Sequence, residues 1–213
     1  MGGGEGGAGR PGGRERILGR VRAALEGREA LPHPGGLPRG PDRGAGADGA
    51  GAAAFAASFA ASGGETVVLE SPARARAWVA GFAKAFGSAV VSPDVPPHLR
   101  PSLPEAEPAE AGLGVSLALG AAAATGSLVL ASRHGRALQL LPPVHLVWVD
   151  ARTVAGTLDE ALGAARAAGP LPATLALHSG PSKSADIGRI VVTGVHGPGR
   201  VVAAVVQGWD EEG

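Results

Sequence analysis

The stretch Val144-His145-Leu146-Val147-Trp148-Val149 constrains the fold more than any other part of the chain. Successive side chains of a β-strand point to opposite faces, so an apolar run without alternation needs cover on both faces. The run is too short for an ordinary helix and is rich in β-branched residues, which makes it a buried strand. Similar runs occur at Thr66-Val67-Val68-Leu69, Ala89-Val90-Val91, Ser127 to Leu130, Ala173 to Leu177, Ile190 to Val192 and Val201 to Val206. Helical patterns lie between several of them. Phe55 and Phe59 are one turn apart on an Ala-rich segment that Gly63-Gly64 ends. Ser71-Pro72 supplies an N-cap and a proline at the first helical position. Trp78, Phe82 and Phe86 then share one helix face, with Gly87 as the expected C-cap, and Thr153 to Ala168 reads as a further helix closed by Gly169-Pro170. Strands of this kind alternating with helices predict an α/β fold, three-layer α/β/α with a mostly parallel sheet.

The ends of the chain are built differently. Residues 1–13 are Gly-rich and are expected to be disordered. Residues 14–49 hold a helix, with Ile17, Val21 and Leu25 spaced by four and Leu18 beside them, and then a Pro/Gly-rich linker from Leu31 to Gly49. The expected reading of this part is a flexible tail with a docking helix. The α/β domain occupies residues 50–213. Within it, Ser92 to Ala111 is rich in Pro and Glu and reads as a loop. Pro142-Pro143, just before the buried strand, is a place where a cis bond would fit a tight turn.

Composition excludes several functions. Lys+Arg and Asp+Glu both number 19, so the net charge is zero and the basic stripe of a nucleic-acid protein is not expected. The only lysines are Lys84 and Lys183. There is no cysteine, so these residues offer neither a thiol nucleophile nor ligands for a Cys-bound iron–sulfur cluster, and no cofactor is expected on this chain. The Gly-rich start lacks the apolar core of a signal peptide, and no run is long and apolar enough for a transmembrane helix. A soluble cytoplasmic protein is the expectation.

Four polar, Gly-rich segments stand at candidate strand ends, where open α/β sheets bind ligands. They are Ala124-Thr125-Gly126-Ser127, Ser132 to Arg136, His178 to Asp186, and Gly194-Val195-His196-Gly197-Pro198. The third is the most informative. Gly180 lets backbone approach closely, and Ser182, exposed N–H groups and the Lys183 ammonium can together hold a carboxylate or phosphate. The same residues equally suit a plain turn capped by Ser182, Ser184 and Asp186, with Asp186-Ile187 opening a helical turn. The glycine spacing matches neither a Walker A loop nor the dinucleotide fingerprint. Ser182, His196 and Asp186 can be arranged on paper as a triad, but no G-x-S-x-G elbow is present. Metal binding is disfavoured, because no His pair has the spacing of a zinc helix. His145 is expected to be a hydrogen-bonded strand residue.

Taken in order, Thr125 to Leu130, Leu140-Leu141-Pro142-Pro143-Val144-His145, Ser179 to Ile187 and Gly194 to Pro198 resemble the LUD-domain family of lactate-utilisation proteins, over roughly Gly114 to Val206. The short length and missing cysteines resemble its small protein C branch. The resemblance implies an open fold related to sugar-phosphate isomerases and CoA transferases. It also implies a role in oxidising L-lactate to pyruvate beside two iron–sulfur partner proteins. The family commonly has an acidic residue just before the Thr-Gly pair and often another five positions earlier, where this chain has Ala124 and Leu119. That departure removes a carboxylate able to act as nucleophile or base.

The leading reading is therefore an accessory subunit of a lactate-oxidising system that binds a small organic anion, with no catalytic residue assigned. The alternative is an independent enzyme acting on a small acid, phosphosugar or thioester. The expected ligand-binding residues are Thr125, Gly126, Ser182, Lys183, Asp186 and His196, converging on one pocket.

Overall fold

The computed structural model describes residues 12–28, 50–185 and 191–209. The chain divides into two units, 1–40 and 41–213. In the first, α1 (Gly13–Leu25) begins where the Gly12 N–H donates to Glu15 Oε2 at 3.0 Å, and none of its residues is buried. The expected tail, apart from Gly12 and Gly13, and the linker from Leu31 to Gly49 lie outside the described residues.

The second unit starts with α2 (Ala50–Ala61) and continues through β1 (Glu65–Leu69), α3 (Pro72–Phe82), β2 (Ala89–Val91), β3 (Leu113–Leu117), β4 (Gly120–Ala122) and β5 (Ser127–Ala131). Next come α4 (Ala137–Leu140), β6 (Val144–Asp150), β7 (Val154–Ala155), α5 (Leu158–Ala167) and β8 (Leu175–His178). The chain then runs through β9 (Lys183–Ala185), β10 (Val191–Thr193) and β11 (Arg200–Val206). A five-stranded sheet in the order β1-β11-β6-β3-β2 is parallel throughout. A second sheet, β7-β4-β5-β8, is antiparallel at β4–β5 and β5–β8 and parallel at β4–β7, and β9 and β10 form an antiparallel pair.

Burial explains the layering. On β6, Leu146 and Trp148 face one side, where α3 packs through Ala75 and Val79. Val147 and Val149 face the other, against Phe55 and Phe59 of α2 and Leu128 and Leu130 of β5. Both faces of β6 are thus apolar because both are covered. The outer face of the second sheet, Ala122 and Val129, packs on Ala161 and Ala165 of α5. The fold is an α/β fold with a mostly parallel sheet flanked by helices, and the second sheet is inserted on one side of it.

Several local expectations change. Ser71 caps α3, accepting from Arg74 N at 3.3 Å, with Pro72 at the first turn. Gly87 is not its C-cap, because the helix tightens after Phe82 into a 3-10 turn over Ala83–Ala85. The helix expected from Thr153 starts only at Leu158, since Val154 and Ala155 pair with Ala121 and Ala122 of β4. Thr157 then opens it with a reciprocal cap: its Oγ1 accepts from Glu160 N at 3.3 Å, and Glu160 Oε2 accepts from Thr157 N at 2.9 Å. Lys183-Ser184-Ala185 is a strand, while the helical turn expected at Asp186-Ile187 lies outside the described residues. The peptide bonds at Pro142 and Pro143 are trans. Among the described residues no helix is long and apolar enough to cross a membrane.

Phe59 is fully buried and stacks on Phe55 with ring centroids 5.3 Å apart. Phe59→Ala is expected to cost about 3–5 kcal/mol through the cavity it leaves. Val21→Ala on the exposed face of α1 is expected to stay within about 0.5 kcal/mol. Denaturant unfolding of both variants checks the contrast, and equal losses would contradict it.

Candidate functional site

The polar loops meet at the amino edge of the five-stranded sheet. Ser62 and Gly63 lead into β1, residues 140–143 into β6, and residues 194–199 into β11. The usual expectation for open parallel sheets places ligand loops at the carboxyl edge. The second sheet accounts for the difference. β8 runs antiparallel to β5, and its end delivers Ser179 to Ser182 beside the start of β1 and the loop before β11. A Cβ on Gly180 would fall 2.7 Å from Ser62 O, and the Ser182 N–H donates to Pro198 O at 2.9 Å.

Thr125 and Gly126 occupy the turn between β4 and β5. The Oγ atoms of Thr125 and Ser127 are 2.8 Å apart, and those of Ser127 and Ser179 are 2.7 Å apart, forming a chain of three hydroxyls. Gly126 has φ +59°, and a Cβ there would sit 2.4 Å from Phe59 N. Only glycine allows this turn to rest on the backbone of α2. Ala124 donates its N–H to Gly156 O at 2.9 Å, and Leu119 packs on the core under α5.

Lys183 serves a different partner from the one its sequence context suggests. Its Nζ donates to Ser62 O at 2.6 Å, at the carboxyl end of α2. A cation there satisfies a terminal carbonyl and complements the negative end of the helix dipole. Ser182 is held on both sides, since its own N–H is bonded to Pro198 and its carbonyl accepts from Gly194 N at 2.9 Å. Asp186 lies outside the described residues. The paper triad therefore has no described third member.

His196 is exposed and lines an open cavity of about 600 Å³. One wall is Leu140, Leu141 and Pro143, and the other is the glycine-rich turn carrying Val195 and His196. Thr125, Ser182 and Lys183 are not among its described lining residues. Ser182 adjoins it from behind, because a Cβ on Gly197 would meet Ser182 Cβ at 3.2 Å. Of the expected site residues, Ser182, just before β9, thus packs against the loop before β11 that carries His196. Thr125 and Gly126 gather at α2, as does Lys183.

A second polar cluster is centred on His145, which is a hydrogen-bonded strand residue as its sequence context suggests; its partners Ser116 and His178 are not evident from the sequence. His145 is fully buried, with Nε2 2.7 Å from Ser116 Oγ, and its Nδ1 has no hydrogen-bond partner. The His178 ring stands edge-on to it at 5.8 Å. Burial, with His178 adding to it, pushes the His145 pKa from an ordinary 6.5 down to about 3. His178 is lowered too, by burial first and then by Arg136. Ser116 sits in an unremarkable Gly-Val-Ser-Leu string, so only the parallel register of β3 and β6 reveals the pair. Among the described residues no three His, Asp or Glu side chains gather as a metal site.

Comparison with known proteins follows the same segment. A family profile described as LUD domain matches residues 105–206, a range that contains all six expected site residues. The chain is 33% identical over 108 residues to lactate utilization protein C of Shouchella clausii, a match covering 49% of this chain and 47% of that protein. It is 35% identical over 104 residues to lactate utilization protein C of Halalkalibacterium halodurans, covering 46% and 45% respectively. The chain thus spans about half the length of the curated relatives it matches. A crystal structure of a DUF162 family protein from Deinococcus radiodurans superposes with a TM-score of 0.55 at 20% identity, covering 74% of this chain and 96% of that one. At that identity the likeness concerns the fold.

Two outcomes are expected. A histidine whose folded pKa is depressed contributes stability that is complete above its unfolded pKa and is lost as pH falls toward the folded value. His145 therefore makes stability drop between about pH 6.5 and 3, by up to about 1.4 kcal/mol per pH unit. His145→Gln should flatten that slope in urea titrations, and an unchanged slope would rule the assignment out. Lys183→Ala should lower stability by about 0.3–1 kcal/mol through the loss of its contact with α2. A thermal melt identical to wild type would show that the contact contributes nothing.

Proposed function

We propose that the chain, whose residues 105–206 match a LUD-domain profile, serves lactate utilisation as an accessory subunit in the oxidation of L-lactate to pyruvate. The supporting observation is the run of loops from Thr125 to His196. These loops lie within the matched segment and build the polar amino edge of the sheet. In this reading the edge binds a small organic anion. Thr125, Gly126, Ser182 and His196 belong to the binding face, while Lys183 holds α2 in place beside it. The electrons leave through iron–sulfur partner proteins, because these 213 residues contain no cysteine to ligate a cluster. The protein is placed in the cytoplasm together with these partners.

The absence of a carboxylate at Ala124 and Leu119 supports a subunit over a self-sufficient enzyme. Nothing at those two positions can act as nucleophile or base.

Deleting the gene in its host should abolish growth on L-lactate while leaving growth on pyruvate intact, and the wild-type gene should restore it. Tagged protein should co-purify with cysteine-rich chains. The isolated chain should not reduce a dye with L-lactate. Unimpaired growth on L-lactate after deletion would refute the role in lactate utilisation. Steady turnover of an acid, phosphosugar or thioester by the isolated chain would instead establish an independent enzyme.

A further inference from the structure

The cavity before β6 and β11 differs chemically from a lactate site. Its volume of about 600 Å³ is in the range that holds drug-sized molecules, far larger than a three-carbon acid. Its walls are mainly apolar. Leu140, Leu141 and Pro143 form one side and Val195 the rim of the other, with His196 the one ionisable side chain among the described lining residues. Leu141 and Val195 are 56% and 51% exposed, so two large apolar side chains edge the same opening. Arg200, which follows the lining residue Gly199, is paired with Glu65 at 2.7 Å, and Lys183 is bonded to Ser62 O. A small, highly charged anion would find little to hold it there, whereas an apolar group would remove these walls from water.

The polar groups available are few and grouped on one side. The imidazole of His196 offers a ring N–H. The backbone N–H groups of Val195, His196 and Gly197 have no partner among the described residues. Together they suit one carboxylate or carbonyl at the end of an otherwise apolar body.

We infer that this cavity binds an organic acid larger than lactate, a 2-hydroxy or 2-oxo acid with a branched or aromatic side chain. The acid group lies on the His196 turn and the side chain lies between Leu140, Leu141, Pro143 and Val195. The 2-hydroxy acid head rests on the proposed role in lactate utilisation; the apolar body rests on the cavity alone.

The test is calorimetry on the full chain with 3-phenyllactate, 2-hydroxy-4-methylpentanoate and L-lactate. One methylene in an apolar pocket is worth about tenfold or more in discrimination, so 3-phenyllactate should bind at least about tenfold more tightly than L-lactate. Leu141→Asp should remove most of that preference, and its exposure lets the substitution leave the fold intact, which circular dichroism checks. Val195→Asp provides an independent second variant on the opposite wall. The inference is overturned if L-lactate binds as tightly as 3-phenyllactate, if none of the acids binds, or if the preference survives both substitutions. Growth on L-lactate reports separately on the proposed function. Selective 3-phenyllactate binding in a chain dispensable for that growth would uphold the cavity and refute the system, and the reverse result would do the opposite.

Discussion

The ring of Phe59 lies where the two sheets and α2 meet. It is fully buried beside Phe55 in the core that joins the five-stranded sheet to the second one. Two glycines make its position sterically possible. A Cβ on Gly64 would lie 2.2 Å from the ring, and one on Gly126 would lie 2.4 Å from the Phe59 backbone nitrogen. Because interiors are close-packed, these contacts bring the β4–β5 turn directly against α2. That closeness also sets where Ser179 and Gly180 arrive and gives Lys183 its partner at Ser62. The polar edge of the molecule depends on this packing of aromatic ring against glycine.

The second sheet alters the usual relation between a parallel sheet and its site. In an open parallel sheet the carboxyl edge gathers the variable loops. Here the antiparallel β5–β8 pair brings its polar end to the amino edge of the larger sheet. The same seam buries His145 and Ser116, which face each other across β3 and β6. A buried imidazole with one unpartnered nitrogen is costly, and it stays neutral because burial, with His178 adding to it, disfavours the charged form. The seam is thus both tightly packed and sensitive to acid.

Much of the architecture is legible in the sequence. β1, β2, β5, β6, β8 and β11 coincide with the apolar runs, within a residue or two at the ends. The Ser71-Pro72 start of α3 and the Gly63-Gly64 end of α2 were also readable, because caps and glycines act locally. β3 and β4 escaped because Leu-Gly-Val-Ser-Leu and Gly-Ala-Ala carry weak strand signals. Their small residues have a tertiary cause. A Cβ on Gly114 would come 2.4 Å from Leu138 O, and one on Gly120 3.0 Å from Thr153 O. Val154-Ala155 reads locally as the start of a helix, but the two residues become β7 by pairing with β4, far away in sequence.

Residue type and order alone determined the α/β class, the doubly covered central strand, the lack of any cysteine ligand, and the four segments able to carry polar chemistry. These follow from side-chain periodicity, from caps, and from the presence or absence of functional groups, all of which are local properties. Tertiary structure alone decided which of those segments meet. It assigned Lys183 to a helix end, separated His196 from the hydroxyl chain of Thr125, Ser127 and Ser179, and buried His145 against Ser116. Hydrogen bonds and close contacts between residues such as Ser62 and Lys183 depend on how sheets and helices pack, and periodicity along a chain carries no information about that distance.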